Sequence, residues 1–213
     1  MGETIRLWMS KEYFVALGRG GKVNEECDLD RCRIDGVPVI RRISGGGTVL
    51  QGPGCLNFSL VLRYDRDNRL RNVRGSYRAI LEPLAEALKK QGHDAECYPI
   101  SDLAVDGRKV SGNAQARKKN HFLHHGTLLF DFDLEKIPLY LRHPTREPEY
   151  RNGRAHSDFV TNLAASHEEL ESIVRILFPP DEPDWVPSAD DLRRLGILIT
   201  DKFATDDWNL HLP

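Results

Sequence analysis

Two arginines and three consecutive glycines stand together in the stretch RRISGGGTV, residues 41–49. The apolar run before it, residues 37–40, predicts a strand that delivers Arg41 and Arg42 into a glycine loop, and Thr48 begins the next strand. Consecutive glycines let backbone N–H groups approach an anion closely, and a guanidinium fork matches a carboxylate or phosphate. No Gly-Lys-Ser/Thr follows, which excludes a P-loop. We interpret the stretch as an anion site, with a mobile surface loop as the alternative.

The other patterns predict short strands joined by tight turns. Residues 13–17 are typical of a strand. The strand that Thr48 begins is broken at residues 52–54 and resumes over residues 56–63, and Asp106-Gly107 predicts the turn of a hairpin. Apolar residues recur at helical spacing over residues 72–91. Because strands outnumber helices without regular alternation, we predict an α+β fold with a central mixed, largely antiparallel sheet flanked by helices. Further predicted elements are strands at residues 7–8 and 126–132 and helices at residues 24–33, 167–177 and 188–195.

The composition is that of an ordinary globular protein, with 213 residues, 40% hydrophobic residues and a net charge of −2. No stretch approaches the roughly 18 apolar residues that span a bilayer, so we expect no membrane as partner. Because the net charge is close to zero, we also expect no nucleic acid as partner. The four cysteines form no C-x-x-C pair, and no signal peptide precedes them. We therefore expect a cytoplasmic protein with free thiols and no metal site built from a protein cluster.

Lys109 lies among small residues in the segment GRKVSGNAQ, residues 107–115, on one arm of the predicted hairpin. Its charge can stabilise a transferring acyl or phosphoryl oxygen, although a lone lysine at a turn is usually solvated. Further along, the adjacent His124 and His125 face opposite sides of a strand and do not bind one metal together. We expect one of them to be packed and the other exposed, or one of them to lie beside the glycine loop.

Five ordered motifs together resemble the lipoate-protein ligase A group of the biotin/lipoate A/B protein ligase family. The motifs are RRISGGGTV (41–49), GCLNFS (54–59), GRKVSGNAQ (107–115), HHGTLL (124–129) and VTNL (160–163). Their order and spacing extend the resemblance over about residues 6–210, and together they are far more specific than any single motif. The resemblance implies a fold related to class II aminoacyl-tRNA synthetases. It also implies a catalytic domain at residues 1–178, closed by a linker and C-terminal helix or strand at residues 179–213.

The resemblance implies a two-step reaction with lipoate as substrate, ATP and Mg²⁺ as co-substrate and ion, and no permanently bound cofactor. Lipoate and ATP first give lipoyl-AMP and pyrophosphate, and a lysine of a lipoyl carrier domain then attacks the acyl adenylate. Lys109 is the implied catalytic residue, and Asp102 is the carboxylate nearest to it that can accept a proton. The implied acyl- and adenylate-binding residues are Arg41, Arg42, Ser44, Gly45, Gly46, Gly47, Thr48, Val49, Asn57, Ser59, Asp102, Ser111, Gly112, Asn113, Ala114, His125, Gly126, Thr127 and Leu128.

The chain departs from the pattern of the larger ligases at both ends, where a leading helix and a C-terminal accessory domain are expected and not recognised. We expect either a separate accessory subunit or no activation of lipoate by this chain alone. One alternative is an ATP-independent octanoyl or lipoyl transferase that forms a thioester on Cys97, although a small buried Cys97 is the simpler interpretation. The other alternative is a binder of lipoyl or acyl ligands without catalysis.

The polar residues 144–157 have no helical or strand periodicity and include Arg146, Tyr150, Arg151 and Arg154. A long aperiodic segment inside a compact domain is more often functional than idle. Two functional interpretations fit this composition, a loop that folds over the adenylate and a surface that docks the acidic face of a carrier domain. A solvated surface loop is the third interpretation.

Overall fold

The computed structural model describes residues 2–180 and 186–211. Its strands are β1 (Thr4–Trp8), β2 (Phe14–Leu17), β3 (Val39–Arg41), β4 (Val49–Gln51), β5 (Cys55–Arg63), β6 (Ala95–Tyr98), β7 (Asp102–Val105), β8 (Arg108–Arg117) and β9 (His121–Leu129). A six-stranded antiparallel sheet has the order β1-β5-β9-β8-β7-β6. A three-stranded sheet has the order β3-β2-β4, with β2 parallel to β3 and antiparallel to β4. The predicted α+β fold with mixed, largely antiparallel strands is confirmed, and these strands divide between two sheets.

The described residues also form eight α-helices. They are α1 (Val23–Glu26), α2 (Leu29–Ile34), α3 (Val73–Lys90), α4 (Ile137–Tyr140), α5 (His156–Phe159), α6 (His167–Leu177), α7 (Ala189–Leu198) and α8 (Asp206–Asn209). The longest, α3, begins at the capping side chain of Asn72 and ends before Gly92, whose φ of +90° stops a helix. Within the described ranges, each helix is too short or too polar to cross a membrane.

The six-stranded sheet buries one face under α3 and α6. Along β9 the side chains alternate, so Phe122 and Leu128 enter the core beneath these helices. His125, Thr127 and Leu129 point to the opposite face, where the three-stranded sheet lies. A second core joins the three-stranded sheet to α1, α2 and α4. The two sheets thus leave a space between them that is lined by residues of β5, β8 and β9.

Two predicted boundaries are wrong for identifiable reasons. The helix predicted at residues 24–33 is split at Cys27, which is extended because its backbone bridges to Leu141, and Asp28 then caps α2. The strand predicted to resume after Gly54 enters the other sheet instead. Gly54 has a φ of +80°, and a Cβ at this position would overlap the backbone of Asp131 at 2.1 Å, so the chain turns sharply there.

The remaining predictions concern β9, the Asp106-Gly107 turn and the C-terminal region. The strand predicted at residues 126–132 begins earlier, at His121, as β9. The hairpin turn at Asp106-Gly107 is confirmed, since both residues have positive φ. Residues 181–185 of the predicted linker lie outside the described residues, and residues 189–203 and 206–209 that follow are helical.

Candidate functional site

A cavity of about 490 Å³ lies between the two sheets and is closed on one side by the 144–157 loop. Two of its lining residues carry carboxylates, Glu26 and Asp102. Cationic side chains are more numerous and comprise Arg42, Lys109, Arg142, Arg146 and Arg151. Apolar side chains come from both sheets and from the helices, and include Trp8, Phe14, Leu50, Leu129, Phe132, Ile137, Leu141 and Phe159. The cavity thus combines a surface for a hydrocarbon chain with an excess of positive charge.

Lys109 reaches this cavity from β8 and is held by a buried carboxylate. Its Nζ lies 2.9 Å from Oδ1 of Asp102, the first residue of β7, which is only 5% exposed. The backbone of Lys109 is also fixed, because its carbonyl accepts a hydrogen bond of 2.9 Å from the N–H of Thr161. Gly112 leaves the room that the lysine side chain occupies, since a Cβ there would lie 2.8 Å from the Cε of Lys109. The ammonium group therefore has one defined position at the cavity wall.

Arg42 organises the glycine loop rather than facing open solvent. Its Nη2 donates to the carbonyls of Gly45 and Gly47 at 2.7 and 2.8 Å, and its Nη1 donates to the carbonyl of Ala16 at 3.0 Å. Burial lowers the pKa of this guanidinium to about 10. Since two carbonyls of the loop and one of β2 converge on one side chain, Arg42 sets the shape of the loop, and it also lines the cavity.

Ser44 joins the glycine loop to β9. Its Oγ lies 2.5 Å from Nε2 of His125 and accepts a hydrogen bond of 3.2 Å from Nε of Arg42. The serine hydrogen is therefore left for His125, whose Nε2 accepts it in the neutral imidazole. Burial, and then the charge of Arg42, lower the pKa of His125 to about 4. Of the two adjacent histidines, His125 is thus the one beside the glycine loop, and His124 is packed in the core.

Arg41 faces away from the cavity and binds the protein's own backbone. Its guanidinium donates to the carbonyls of Gly18, Arg19 and Gly21 and, from the other end of the chain, to those of Trp208 and Asn209. Adjacent residues at the end of a strand point to opposite sides, so only one of the two arginines can line the cavity. The prediction that Arg41 binds ligand is corrected by this geometry.

The structure brings together most of the residues that the sequence indicated. Those lining the cavity are Arg42, Gly46, Gly47, Thr48, Val49, Asn57, Asp102, Lys109, Ser111, Gly112, Asn113, Ala114, His125 and Thr127. Ser44 and Gly126 lie behind this wall, and Gly126 must be glycine because a Cβ would lie 1.8 Å from Oδ1 of Asn113. Gly45 is exposed, Ser59 lies outside the lining, and Leu128 belongs to the core under the helices. The side chain of Leu128 faces the helices because β9 alternates, which corrects its prediction as a ligand contact.

Cys97 does not reach the cavity, and it is exposed, which corrects the interpretation of Cys97 as a small buried residue. It lies on the edge strand β6, paired with Leu103, which is buried in the core on the helix side of the sheet. Partial desolvation of the thiol by its neighbours, and then the carboxylate of Glu82, raise the pKa of Cys97 above its ordinary value. Because a nucleophilic cysteine needs a lowered pKa and access to substrate, this placement contradicts the thioester on Cys97.

The 144–157 loop lies against the cavity, and several of its side chains are buried there. Arg151 is only 4% exposed, and its Nη2 is a buried donor without a hydrogen-bond partner among the described residues. Tyr150 donates a hydrogen bond of 2.7 Å to Oδ2 of Asp102. Arg154 ties the loop to the β7–β8 turn through the carbonyl of Gly107. The sequence indicated that this segment is functional through its lack of helical or strand periodicity.

Other lining residues carried no sequence signal. Glu26, on α1, accepts a hydrogen bond from the hydroxyl of Thr48, and Arg142 follows α4. Trp8 and Phe14 stack with ring centroids 6.4 Å apart at the cavity wall. Each of these residues lies in or next to a short element without a motif, so only the three-dimensional arrangement of the two sheets reveals them.

The sequence of this chain is similar to those of known proteins. The model of the lipoyl protein ligase A/B catalytic domain family matches residues 2–173. Lipoate-protein ligase LplJ of Bacillus subtilis is 28% identical over 206 residues, which cover 92% of this chain and 61% of that protein. Octanoyltransferase LipM of Clostridioides difficile is 29% identical over 167 residues, which cover 70% of this chain and 60% of that protein. The chain thus spans about 60% of the length of these relatives.

Solved structures show the same fold. A structure described as a bi-partite lipoate protein ligase and its E2 lipoyl domain, from Thermoplasma acidophilum, superposes with a TM-score of 0.81 at 24% identity, covering 97% of this chain and 83% of that one. A lipoate-protein ligase A bound with ATP gives a TM-score of 0.80 at 24% identity over 97% of this chain and 85% of that one. With the family model matching most of its length, the chain belongs to the lipoyl protein ligase A/B catalytic domain family, in its lipoate-protein ligase A group.

Proposed function

We propose that this chain is the catalytic part of a lipoate-protein ligase, which activates lipoate with ATP and transfers the acyl group to a lysine of a lipoyl carrier domain. The observation that carries the proposal is the ammonium group of Lys109, fixed by Asp102 at the wall of the cavity between the sheets. The apolar lining suits an acyl chain, and the surplus of cationic side chains suits a phosphate.

In the proposed first step, a carboxylate oxygen of lipoate attacks the α-phosphorus of ATP, the acyl–phosphate bond forms, and pyrophosphate leaves. Lys109 stabilises the negative charge on the oxygens around the reacting phosphorus. Arg151 suits a phosphate oxygen, because its buried Nη2 has no partner in the described part of the chain and such a donor is costly unless it is paired. Mg²⁺ accompanies the triphosphate, and we assign it no ligand from the protein.

In the proposed second step, the amine of the carrier lysine attacks the acyl carbonyl carbon, an amide bond forms, and AMP leaves. Lys109 stabilises the charge that develops on the carbonyl oxygen. The proton of the attacking amine passes to a phosphate oxygen of the leaving AMP. Positioning and charge stabilisation suffice for transfer from an acyl adenylate, so no serine or cysteine nucleophile is required.

The relatives support these substrates and partners. Lipoate and ATP are the proposed substrates, and a lipoyl domain of the E2 type is the proposed acceptor, in line with the names of the ligases given above. Because the Thermoplasma ligase is bi-partite, the test includes a separate accessory subunit. The four cysteines are free thiols, which suits the reducing cytoplasm that we propose as the location.

Octanoyl transfer is a second candidate, since LipM is among the relatives. A thioester mechanism needs a thiol in contact with the acyl group. Among the described residues, none that lines the cavity is a cysteine, and Cys97 lies on the other face of the sheet. We therefore treat octanoate as an alternative acyl group and do not propose a thioester on Cys97.

The test follows the mass of a lipoyl carrier domain after incubation with the protein, an acyl donor and Mg-ATP. We expect a gain of one acyl group that depends on ATP, with the accessory subunit present where the chain alone is inactive. ATP-independent transfer from an octanoyl carrier thioester would instead establish the transferase. Binding of lipoate without turnover, in both assays and with the accessory subunit, would leave only a ligand binder.

Lys109→Ala removes the charge that both steps use. We expect transfer to fall by about 10²- to 10³-fold, as on loss of other charge-stabilising groups. Lys118→Ala is the matched control, because Lys118 is exposed in the β8–β9 turn. A Lys109→Ala variant that transfers at a near-normal rate would contradict the assignment of Lys109.

A further inference from the structure

Tyr150 brings the 144–157 loop into direct contact with the pair of Lys109 and Asp102. Its hydroxyl donates a hydrogen bond of 2.7 Å to Oδ2 of Asp102, while Nζ of Lys109 lies 2.9 Å from Oδ1. Oδ1 of this buried carboxylate thus binds Lys109 and also accepts a hydrogen bond of 3.3 Å from Oγ of Ser101, whereas Oδ2 is bound by Tyr150, which lies 48 residues away in the chain. The chemistry proposed above assigns no role to Tyr150.

The ring of Tyr150 is fixed by its neighbours. Its centroid lies 4.4 Å from that of Tyr98 on β6 and 5.1 Å from that of Phe159 on α5. Arg154 donates to the carbonyls of both Tyr150 and Gly107, which holds the loop against the β7–β8 hairpin. Burial, and then the charge of Asp102, raise the pKa of Tyr150 above its ordinary value, so its hydroxyl keeps its proton at neutral pH. The hydroxyl is therefore a preorganised donor.

We propose that Tyr150 is a positioning residue for Lys109 and acts through Asp102. The inference rests on the proposed function, in which the ammonium group of Lys109 faces the acyl phosphate. By occupying Oδ2 of Asp102, the tyrosine hydroxyl restricts Lys109 to Oδ1. An ammonium group has three donors, so the remaining N–H groups are then available to the substrate.

Removal of the Tyr150 hydroxyl changes how the carboxylate of Asp102 binds Lys109. Oδ2 of Asp102 becomes a buried acceptor that has lost its donor, and the ammonium group of Lys109 is already bound to the other oxygen of the same carboxylate. Both oxygens then share the ammonium group and draw it away from the substrate. The rest of the cavity still binds the substrates equally well, so the rate of the chemical step falls while KM is kept.

Tyr150→Phe tests this because it removes the hydroxyl and keeps the stacked ring. We expect kcat for adenylate formation, followed by ATP–pyrophosphate exchange, to fall on the order of tenfold, with KM for lipoate and ATP within about twofold. Tyr140→Phe is the matched control, since Tyr140 donates a similar hydrogen bond of 2.9 Å to Asp35, outside the cavity lining. Equal kcat in the two variants, or a raised KM at unchanged kcat, would overturn the proposal.

A second readout does not depend on activity. In competitive acetylation followed by mass spectrometry, we expect Lys109 to react several-fold more slowly in Tyr150→Phe than in the wild type, while the exposed Lys118 and Lys119 react equally in both. If the wild type forms no adenylate even with the accessory subunit present, the proposed function fails, and this labelling still tests the role of Tyr150. Equal labelling of Lys109 in the two proteins overturns the positioning role.

A double-mutant cycle separates positioning from a general effect of the loop. In an Asp102→Asn background the hydroxyl no longer directs a carboxylate towards Lys109, so Tyr150→Phe should add less than a twofold further loss of kcat. Independent, multiplicative losses of kcat in the double variant would show that Tyr150 does not act through Asp102.

Discussion

At the scale of single residues, Gly112 sets where the ammonium group of Lys109 stands. A Cβ on Gly112 would lie 2.8 Å from Cε and 2.9 Å from Nζ of Lys109, so only glycine leaves the lysine its observed position. We expect Gly112→Ala to displace the ammonium group and to lower kcat about 10- to 100-fold, because misplacement of a reacting group by about 1 Å has effects of this size. The lysine tip is flexible, so the midpoint of thermal unfolding should stay close to that of the wild type.

Gly196→Ala provides the control for this prediction. Gly196 lies in α7, outside the cavity lining, and an added Cβ would meet nothing within 4 Å. Its kinetic constants should match those of the wild type. Unchanged kcat in Gly112→Ala would mean that the position of Lys109 does not limit the reaction.

His125 makes stability depend on pH in a defined window. Its pKa is lowered from 6.5 to about 4 in the folded protein, so between these pH values the unfolded chain binds the additional proton and stability falls as the pH decreases. Integrating this shift from pH 7 to pH 5 gives a contribution of about 2 kcal/mol to the loss. His125→Gln keeps an acceptor for Ser44 and cannot titrate. Between pH 7 and pH 5, we therefore expect the free energy of unfolding of this variant to fall by about 2 kcal/mol less than that of the wild type.

Urea unfolding at pH 5 and pH 7 measures this difference. His211→Gln is the control, since His211 is exposed on the surface and should leave the pH dependence as in the wild type. The same pH dependence in His125→Gln as in the wild type would show that the burial of His125 does not govern acid stability.

At the scale of elements, the conformation of the glycine loop depends on Gly18, which directly follows β2. A Cβ on Gly18 would lie 1.9 Å from the carbonyl oxygen of Gly46, which leaves no room for alanine unless the loop moves. We expect Gly18→Ala to lower the free energy of unfolding by about 1–3 kcal/mol and to reduce transfer. Gly20→Ala, in the same turn, meets nothing within 4 Å and should have neither effect. Thermal melts and transfer assays on both variants would contradict the steric account if they gave equal values.

The local elements were predictable because their patterns are local. The periodicity of α3 with Asn72 before it, and the Asp106-Gly107 turn, each depend on a few neighbouring residues. What a strand residue faces depends instead on its partners. Cys97 is close to Lys109 in sequence, but its pairing with Leu103 places it on the opposite face of the sheet. Spacing along the chain cannot reveal this without the register of β6 and β7.

At the scale of the whole molecule, Arg41 joins parts of the chain that are 167 or more residues apart. Its backbone N–H donates to Oδ1 of Asn209, and its carbonyl accepts a hydrogen bond of 2.8 Å from Nε1 of Trp208. Its guanidinium adds bonds to the 18–21 turn and to the carbonyls of α8. No sequence motif predicts such a long-range contact. The two arginines of one motif therefore look equivalent in the sequence, although Arg41 binds backbone carbonyls and Arg42 lines the cavity.

Arg41→Ala should therefore loosen the C-terminal helix while leaving Lys109 in place. The carbonyls around the guanidinium would lose their donor in a buried environment, so we expect the free energy of unfolding to fall by about 3–5 kcal/mol. Hydrogen exchange should rise at the amides of Asn209 and Leu210, which are hydrogen-bonded within α8. Arg33→Ala, at an exposed arginine of α2, is the control and should change neither quantity. If exchange at α8 is the same in both variants, the C-terminal helix is held by packing alone and Arg41 does not fasten it.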